Sequence, residues 1–409
     1  MNPNIERLNR YPFERLADLK EGVVPANRPP IALSIGEPKH APPDFLVELL
    51  LDQDNLRASL GSYPATRGAV ALRATIATWL TSRFSLAAGS LDPARHVLPV
   101  NGTREALFSF GQAVLSGSRT ASVLMPNPCY QIYEGAALLR NAQPVYVPCT
   151  EETQFNPDFQ RVPDSVWKRC ELVYICSPGN PTGAILDIAT LTALIELADR
   201  HEFVIAADEC YSEIYHDEAH APPGLLEACA SMGRDDYRRC VVFHSLSKRS
   251  SLPGLRSGFV AGDAELMDAY YRYRTYHGCA MPEHVQTVSA AAWADEDHVA
   301  ANRARYREKF DAITPILARH LELKVPAGGF YYWAPTPEPD PDFARALFEA
   351  QNVTVLPGSF LARKANGTNP GAQRVRMALV ASLDECLDAA ARIIDFMETR
   401  FGRPFRRRG

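Results

Sequence analysis

The chain has 409 residues and no apolar run of about 18, the length a membrane-spanning helix needs, so none is expected. Its nine cysteines form no C-x-x-C pair, and nine is odd. Most, such as Cys176 and Cys240, sit in apolar surroundings. They read as core thiols of a reducing compartment, not as a disulfide frame or a metal site, and no metal is expected. The opening segment, MNPNIERLNRYPFERL, is charged and lacks an apolar centre, which argues against a secretory signal and for a cytoplasmic location. Charge of one sign is scarce: 43 Lys and Arg against 48 Asp and Glu leave a net charge of −5. Such a surface is not built to bind nucleic acid or an anionic membrane. The basic tail from Arg403 to Arg408 reads as a solvated end. Internal repeats and low-complexity tracts are lacking too.

What is present is a long chain of ordinary globular composition, enough for two domains. The spacing predicts alternating elements. Short apolar strands are expected at 96–100, 122–125, 144–147, 172–176, 204–207, 241–244 and 258–261. Helices are expected at 44–51, 69–83, 106–115 and 188–201. Strands that are apolar on both faces and separated by helices predict a mostly parallel α/β sheet covered on both sides. From Asp263 to His320 the pattern is helical, with one break at 278–282 and then a long helix to residue 320. Strands at 321–325, 329–333, 353–356 and 374–378, with helices at 343–351 and 383–401, predict a smaller α+β domain. The expected division is an N-terminal arm belonging partly to the small domain (1–50), a large domain (51–285) and a small C-terminal domain (286–409).

The most informative stretch is 241–258, VVFHSLSKRSSLPGLRSG. A β-branched run breaks into a turn carrying Ser245, Ser247 and Lys248, with Arg256 eight residues further on. A lysine where a buried strand ends is costly unless it has a partner or a task. Two hydroxyls and a guanidinium suit a phosphate dianion, and a lysine amine condenses with an aldehyde. Together they point to a phosphorylated aldehyde, pyridoxal 5'-phosphate.

Other residues agree with that reading. Asp208 ends the strand at 203–207, where ligand sites form in open parallel sheets, and could hold a pyridine nitrogen protonated. Tyr211 and Asn180 can donate to a phenolate oxygen. Gly102, Thr103 and Arg104 lie between a strand and a helix, where backbone N–H groups bind phosphate. Tyr130 could stack on a flat ring. Arg376 can grip a carboxylate in bidentate fashion. Each also has an ordinary structural reading: a helix cap for Asp208, a turn for Asn180-Pro181, a packed loop ring for Tyr130, a solvated strand arginine for Arg376.

The set Asn180-Pro181-x-Gly183, Asp208-x-x-Tyr211, Ser245-x-Ser247-Lys248, Arg256 and Arg376 resembles the fold-type I pyridoxal-phosphate enzymes of aminotransferase class I/II, over essentially the whole chain. The resemblance implies a seven-stranded-type sheet in the large domain. It implies Lys248 as the amine that binds the cofactor and moves protons, and Asp208 facing the pyridine nitrogen. Asn180 and Tyr211 would hold the phenolate oxygen, with Tyr130 on the ring. Gly102, Thr103, Ser245, Ser247 and Arg256 would hold the phosphate, with Arg104 left open beside them. Arg376 would bind the α-carboxylate, and Gly36 would lie near the substrate. Tyr63, in Tyr63-Pro64-x-x-x-Gly68, resembles a tyrosine that reaches the neighbouring subunit's phosphate, which implies a homodimer.

Within the family the stretches at 59–68, 244–258 and 273–282 look most like proteobacterial succinyldiaminopimelate aminotransferases. That implies amino transfer between glutamate and N-succinyl-2-amino-6-oxopimelate, in lysine and diaminopimelate synthesis. Such a substrate needs cations besides Arg376, and Arg249, Arg274, Lys39 and His277 are candidates. Rival readings are an aspartate or aromatic aminotransferase, a C–S lyase on the same cofactor, and a cofactor-sensing regulator. No basic helix-turn-helix-like segment precedes residue 35 to support the last.

Overall fold

The structure, a computed structural model, describes residues 1–365, 367–402, 404 and 405. Arg403 and Arg406 to Arg408 of the basic tail lie outside the described residues. The strands in chain order are β1 (Ile31–Ala32), β2 (Val97–Val100), β3 (Ser122–Asn127), β4 (Gln143–Pro148), β5 (Cys170–Cys176), β6 (Val204–Asp208), β7 (Cys240–Ser245), β8 (Gly258–Gly262), β9 (Tyr331–Pro335), β10 (Val353–Thr354), β11 (Leu356–Pro357) and β12 (Arg374–Ala378).

Seven of them form one sheet in the order β2-β8-β7-β6-β5-β3-β4. Only β8 runs against its neighbours; the other strands are mutually parallel. The strand sequences explain the layering. Alternate residues of β5 enter opposite cores: Val173 and Ile175 pack with the side chains of helices Val70–Arg83 and Ile188–His201, while Leu172 and Tyr174 pack with those of Thr103–Val114. A sheet covered on both faces must be apolar on both, which is why its inner strands read as near-continuous apolar runs. The edge strand β4 is the partly exposed one.

A separate apolar cluster joins Ile31 and Leu33 of the N-terminal arm to Phe310, Ile313, Val353, Met377, Ile393 and Met397. Its strands form the antiparallel sheet β11-β12-β9 and the parallel pair β1-β10.

Two expectations are corrected. The long helix is two helices, Glu283–Ala294 and Asp297–Leu317. Asp295 is extended, with φ −108 and ψ 126, and its side chain caps the second helix by accepting from His298 N at 3.0 Å. The interruption is held by the buried Arg249, which donates to the carbonyls of Ala292 (2.6 Å) and Asp295 (3.3 Å) and pairs with the Glu296 carboxylate. No strand forms at 321–325. Leu321 is buried but Val325 is exposed, so the apolar alternation does not follow one face, and the segment has no ladder partner among the described residues. Helices Gln53–Leu60, Gln131–Leu139 and Leu225–Ser231 were not expected individually, and the arm carries a helix at Pro12–Lys20.

Replacing Arg249 by Met should leave the break without donors. Orphaned buried carbonyls cost roughly 1–3 kcal/mol each, so Arg249→Met is expected to lower the unfolding midpoint in calorimetry.

Candidate active site

Because β8 is antiparallel, the carboxyl ends of β2, β3, β5, β6 and β7 share one edge of the sheet with the amino end of β8. Ligand sites in open α/β sheets form at that edge. Each of these six strands delivers there: Gly102 to Arg104 after β2, Tyr130 after β3, Asn180 after β5, Asp208 and Tyr211 at β6, Ser245 to Lys248 at β7, and Arg256 just before β8. A cavity of about 550 Å³ opens among them. Thr103, Arg104, Tyr130, Asn180, Asp208, Tyr211, Ser245, Ser247, Lys248, Arg256, Arg376 and Gly36 all line it.

Lys248 lies in a short helical turn, Leu246–Arg249, whose start is capped by Ser245 Oγ accepting from Ser247 N at 3.1 Å. Its Nζ donates to the carbonyl of Gly36 at 2.5 Å. Burial, reinforced by the charge of Arg376, pulls the amine down to about 8; Cys210, Glu37 and Asp208 oppose the fall. Gly36 has no room for a side chain, since a Cβ would sit 2.0 Å from the Tyr331 hydroxyl.

Asp208 is buried at the end of β6. It accepts from Tyr133 Oη at 2.6 Å and from Cys210 N at 3.3 Å. Burial pushes its carboxyl up, and the donors from Cys210 and Tyr133 pull it back. Tyr211 Oη meets Tyr331 Oη at 2.7 Å. Burial, with Tyr331 beside it, holds the Tyr211 phenol well above its usual range, so it stays protonated as a donor.

Arg376 is buried and has no acidic partner among the described residues. It donates to Asn180 Oδ1 at 3.0 Å and to Ser34 O at 2.6 Å, and its Nε is buried without a partner. Because Asn180 accepts through Oδ1, its Nδ2 remains a donor. Arg374, on the same strand, is by contrast paired with Glu151 and the carbonyl of Trp333.

Gly102 precedes the helix Thr103–Val114 with φ +82. A Cβ there would lie 2.3 Å from Arg256 Nη2. The absence of a side chain therefore lets the guanidinium approach the helix N-terminus. Arg256 uses Nη1 on Pro253 O at 2.8 Å and is otherwise exposed. Backbone donors at a helix start beside an arginine and two serines make a dianion cradle. A cavity with such a cradle, a lowered amine, a buried carboxylate and an orphaned guanidinium fits a phosphorylated ring and an amino acid.

Some sequence candidates lie elsewhere. Arg249 holds the helix break. Arg274 is buried against Glu105 at 2.8 and 2.9 Å and donates to Cys279 O at 2.8 Å. Neither can meet a substrate. Lys39 and His277 do not line the cavity. Glu105, His277 and Cys279 come close enough together to suggest a metal site. However, Arg274 and the Asn101 N–H already occupy the carboxylate. Tyr63 is fully solvent-exposed (101 %) and outside this chain's own cavity.

Tyr133 and Tyr331 escaped the sequence reading, as did the arm residues Tyr11 and Phe13, which line the cavity. No local motif marks them; only the fold brings them to the site.

Fold and site together define an α/β protein that gathers a lysine, a buried carboxylate and a buried guanidinium at the carboxyl edge of a mostly parallel sheet. The family model for aminotransferase class I and II matches residues 28–393, and the chain belongs to that family. Its members depend on pyridoxal phosphate and act on amino and keto acids. An LL-diaminopimelate aminotransferase of Nitratidesulfovibrio vulgaris is 30% identical over 387 residues, 94% of this chain and 95% of that one. A crystal structure of an aminotransferase from Neisseria meningitidis superposes with TM-score 0.91 at 44% identity, covering 97% of this chain and 100% of the other. A structure described as a probable N-succinyldiaminopimelate aminotransferase from Thermus thermophilus gives TM-score 0.81 at 26% identity, with 94% and 100% covered. Among the described residues, no helix is long and apolar enough to cross a membrane.

Gly102→Ala should displace Arg256 and strain a left-handed residue. The expected result is at least about tenfold weaker pyridoxal phosphate binding, the equivalent of roughly 1.4 kcal/mol. Fluorescence titration measures it, with circular dichroism to show the fold intact.

Proposed function

We propose that this chain is a pyridoxal-phosphate aminotransferase that moves an amino group between glutamate and N-succinyl-2-amino-6-oxopimelate, in diaminopimelate and lysine synthesis. The observation that carries the amino-acid part is Arg376: a buried guanidinium with a free Nε and no acidic partner among the described residues.

Gly102, Thr103, Ser245, Ser247 and Arg256 would hold the cofactor's phosphate. Asp208 would face the ring nitrogen and keep it protonated. The free Nδ2 of Asn180 and the Tyr211 hydroxyl would donate to the ring oxygen, and Tyr130 would cover the ring. When bound, pyridoxal phosphate supplies an aldehyde carbon that exchanges amines and a ring that takes up the electron pair left at the substrate's α-carbon. Lys248 Nζ, lowered to about 8, is a competent base near neutral pH and takes and returns the α-proton. Arg376 orients the substrate through its α-carboxylate. Two keto acids use one site in turn, so ping-pong kinetics are expected.

The succinylated acceptor rests on the distinctive stretches and on the name of one structural neighbour, the probable N-succinyldiaminopimelate aminotransferase. It brings distal carboxylates and no distal ammonium. Arg104 lines the cavity without an acidic partner among the described residues, its guanidinium 5.5 Å from the Tyr11 ring. We assign it as the candidate for a distal carboxylate, next to the phosphate cradle. A second reading, free LL-diaminopimelate as amino donor, is favoured by the 30% relative. Its distal ammonium would need an acid, and Glu37 lines the cavity.

We also propose a homodimer in which Tyr63 completes the neighbour's cradle. Tyr63, Leu60, Leu51 and Val70 are exposed in one stretch of chain, a surface suited to a second copy. The division between domains is proposed at the 295–296 break rather than at 285, because helix Glu283–Ala294 packs in the large core and Asp297–Leu317 largely in the small one.

Lys248→Ala should lose roughly 10²–10⁴-fold in turnover, and borohydride should no longer fix the cofactor to the peptide. In the apo protein, the charged amine cannot add to an aldehyde. Cofactor uptake should therefore quicken as pH rises and level off above about 8.

Purified enzyme assayed with glutamate against a panel of keto acids decides the acceptor. Preference for the succinylated acid, with a KM for it that rises in Arg104→Met, supports the reading. Preference for free LL-diaminopimelate, weakened in Glu37→Gln, selects the alternative. Pyruvate and ammonia released from an S-substituted cysteine, with a thiol as the leaving group and no second keto acid, would mean a C–S lyase.

A further inference from the structure

A buried lysine lies outside the cavity. Lys309, on helix Asp297–Leu317, is 3% exposed and has no ion-pair partner among the described residues. Its Nζ contacts His40 Nε2 at 2.8 Å and donates to Leu379 O at 3.1 Å. A buried ammonium answered only by neutral groups is costly to keep.

The protons in this cluster can be placed. Asn302 Nδ2 donates to two carbonyls, Lys248 O at 3.0 Å and Arg249 O at 3.1 Å, which only the amide nitrogen can do. Its Oδ1 therefore faces His40 Nδ1, at 2.7 Å, and can only accept. Nδ1 must carry the proton. Nε2 of the neutral ring is then an acceptor, and the lysine donates to it. Burial and the charges of Lys309 and Arg305, opposed by the Asn302 contact, hold His40 down at about 4, which keeps the ring neutral. Burial and Arg305 likewise bring Lys309 to about 8, with Cys386, Glu308 and Glu385 opposing.

The chain of bonds has two ends that matter. One is the backbone carbonyl of Lys248. The other is Leu379, three residues beyond Arg376 on the same run of chain. Its middle member, His40, follows Gly36, whose carbonyl accepts from Lys248 Nζ, and the His40 carbonyl accepts from Ser251 Oγ at 2.9 Å. Three segments that line the cavity are thus joined behind it by directional bonds.

We propose that Asn302, His40 and Lys309 form a positioning relay that fixes the backbone of Lys248 against the strand bearing Arg376, so that the amine and the carboxylate-binding guanidinium keep one separation. The proposal rests on the roles given above to Lys248 and Arg376. All three are positioning residues, since none lines the cavity. Asn302 and Lys309 are seven residues apart, two helical turns, and so present one face to both ends.

Asn302→Leu and Lys309→Met remove the bonds with little change of volume. In the cofactor-loaded enzyme, each is expected to lower kcat roughly 10- to 100-fold, the scale of a small misplacement of a reacting group. The KM for glutamate should change by less than about threefold, because Asn180 and Ser34 still hold Arg376. The double variant should lose no more than the worse single, because both break one relay. The pH midpoint of the bound cofactor's visible band, which reports the setting of the Lys248 nitrogen, should shift in the same variants. His40→Phe keeps the ring packed on Tyr306, 4.5 Å away, and deletes both nitrogens. It should reproduce the kcat loss even where a helix variant fails to fold. Wild-type kcat and band midpoint in His40→Phe, or additive losses of thermal stability with kcat unchanged in the other two, would overturn the relay. A wild-type protein with no visible band would overturn the cofactor reading, and the relay with it.

Discussion

A cation withdrawn from water has to be answered by something, and in this structure four arginines of the scaffold are answered differently from the lysine and the arginine that line the cavity. Arg249, Arg274, Arg303 and Arg363 are buried or nearly so, and each meets a glutamate: Glu296, Glu105, Glu218 and Glu134. Those charges are used up inside the fold. Lys248 and Arg376 are answered by carbonyls and an amide only. Neutral partners satisfy some donors without cancelling the charge. What remains is an amine lowered toward neutrality and a guanidinium with an unused N–H. The two properties suit different tasks, taking a proton and gripping an anion, and the same withholding of acids yields both.

Withholding acids is not sufficient, because a cleft of uncompensated cations would repel itself. Asp208 supplies the counterweight at the floor of the cavity. The Cys210 side chain and amide and the Tyr133 phenol donate to it, and these donors offset part of the burial penalty without neutralising the carboxylate. Tyr133 is itself fixed by stacking on Tyr174, with centroids 4.6 Å apart and planes 9° apart. The acid is thus positioned by a residue on the helix Gln131–Leu139 and by its own strand, so that a cationic ring nitrogen would be its natural partner.

How much of this is readable from sequence follows from distance along the chain. Ser245, Ser247, Lys248 and Arg256 share one turn, and Asp208 and Tyr211 share another, so their chemistry is visible as local pattern. The sheet is equally visible, because strands covered on both faces are apolar throughout. Tyr133 lies 75 residues from the Asp208 it supports, and Tyr331 lies 120 from Tyr211; nothing local distinguishes either from a core aromatic. Arg249 and Arg274 were misread for the same reason. Their glutamates stand 47 and 169 residues away, and a lone arginine beside a motif looks free until its partner is placed. The helix read as continuous to residue 320 failed because its break is imposed by Arg249 from outside, not by a glycine or proline within.

These observations also bear on why a family of one fold takes many acids. The groups proposed to meet the reacting carbon stand at or just beyond strand ends of the large sheet, Asp208 at the end of β6 and Lys248 after β7. Arg104 and Tyr11 are different: one stands in the first turn of a helix, the other on the arm before the helix Pro12–Lys20, and they touch through a guanidinium over a ring. An exposed arginine whose chief contact is the face of an aromatic ring keeps its in-plane donors free. The arm can therefore change what the far side of the cavity presents while Lys248, Asp208 and Arg376 stay as they are. On the proposed reading, substrate choice and catalytic geometry are carried by different parts of the chain, and that separation follows from where each charge finds its partner.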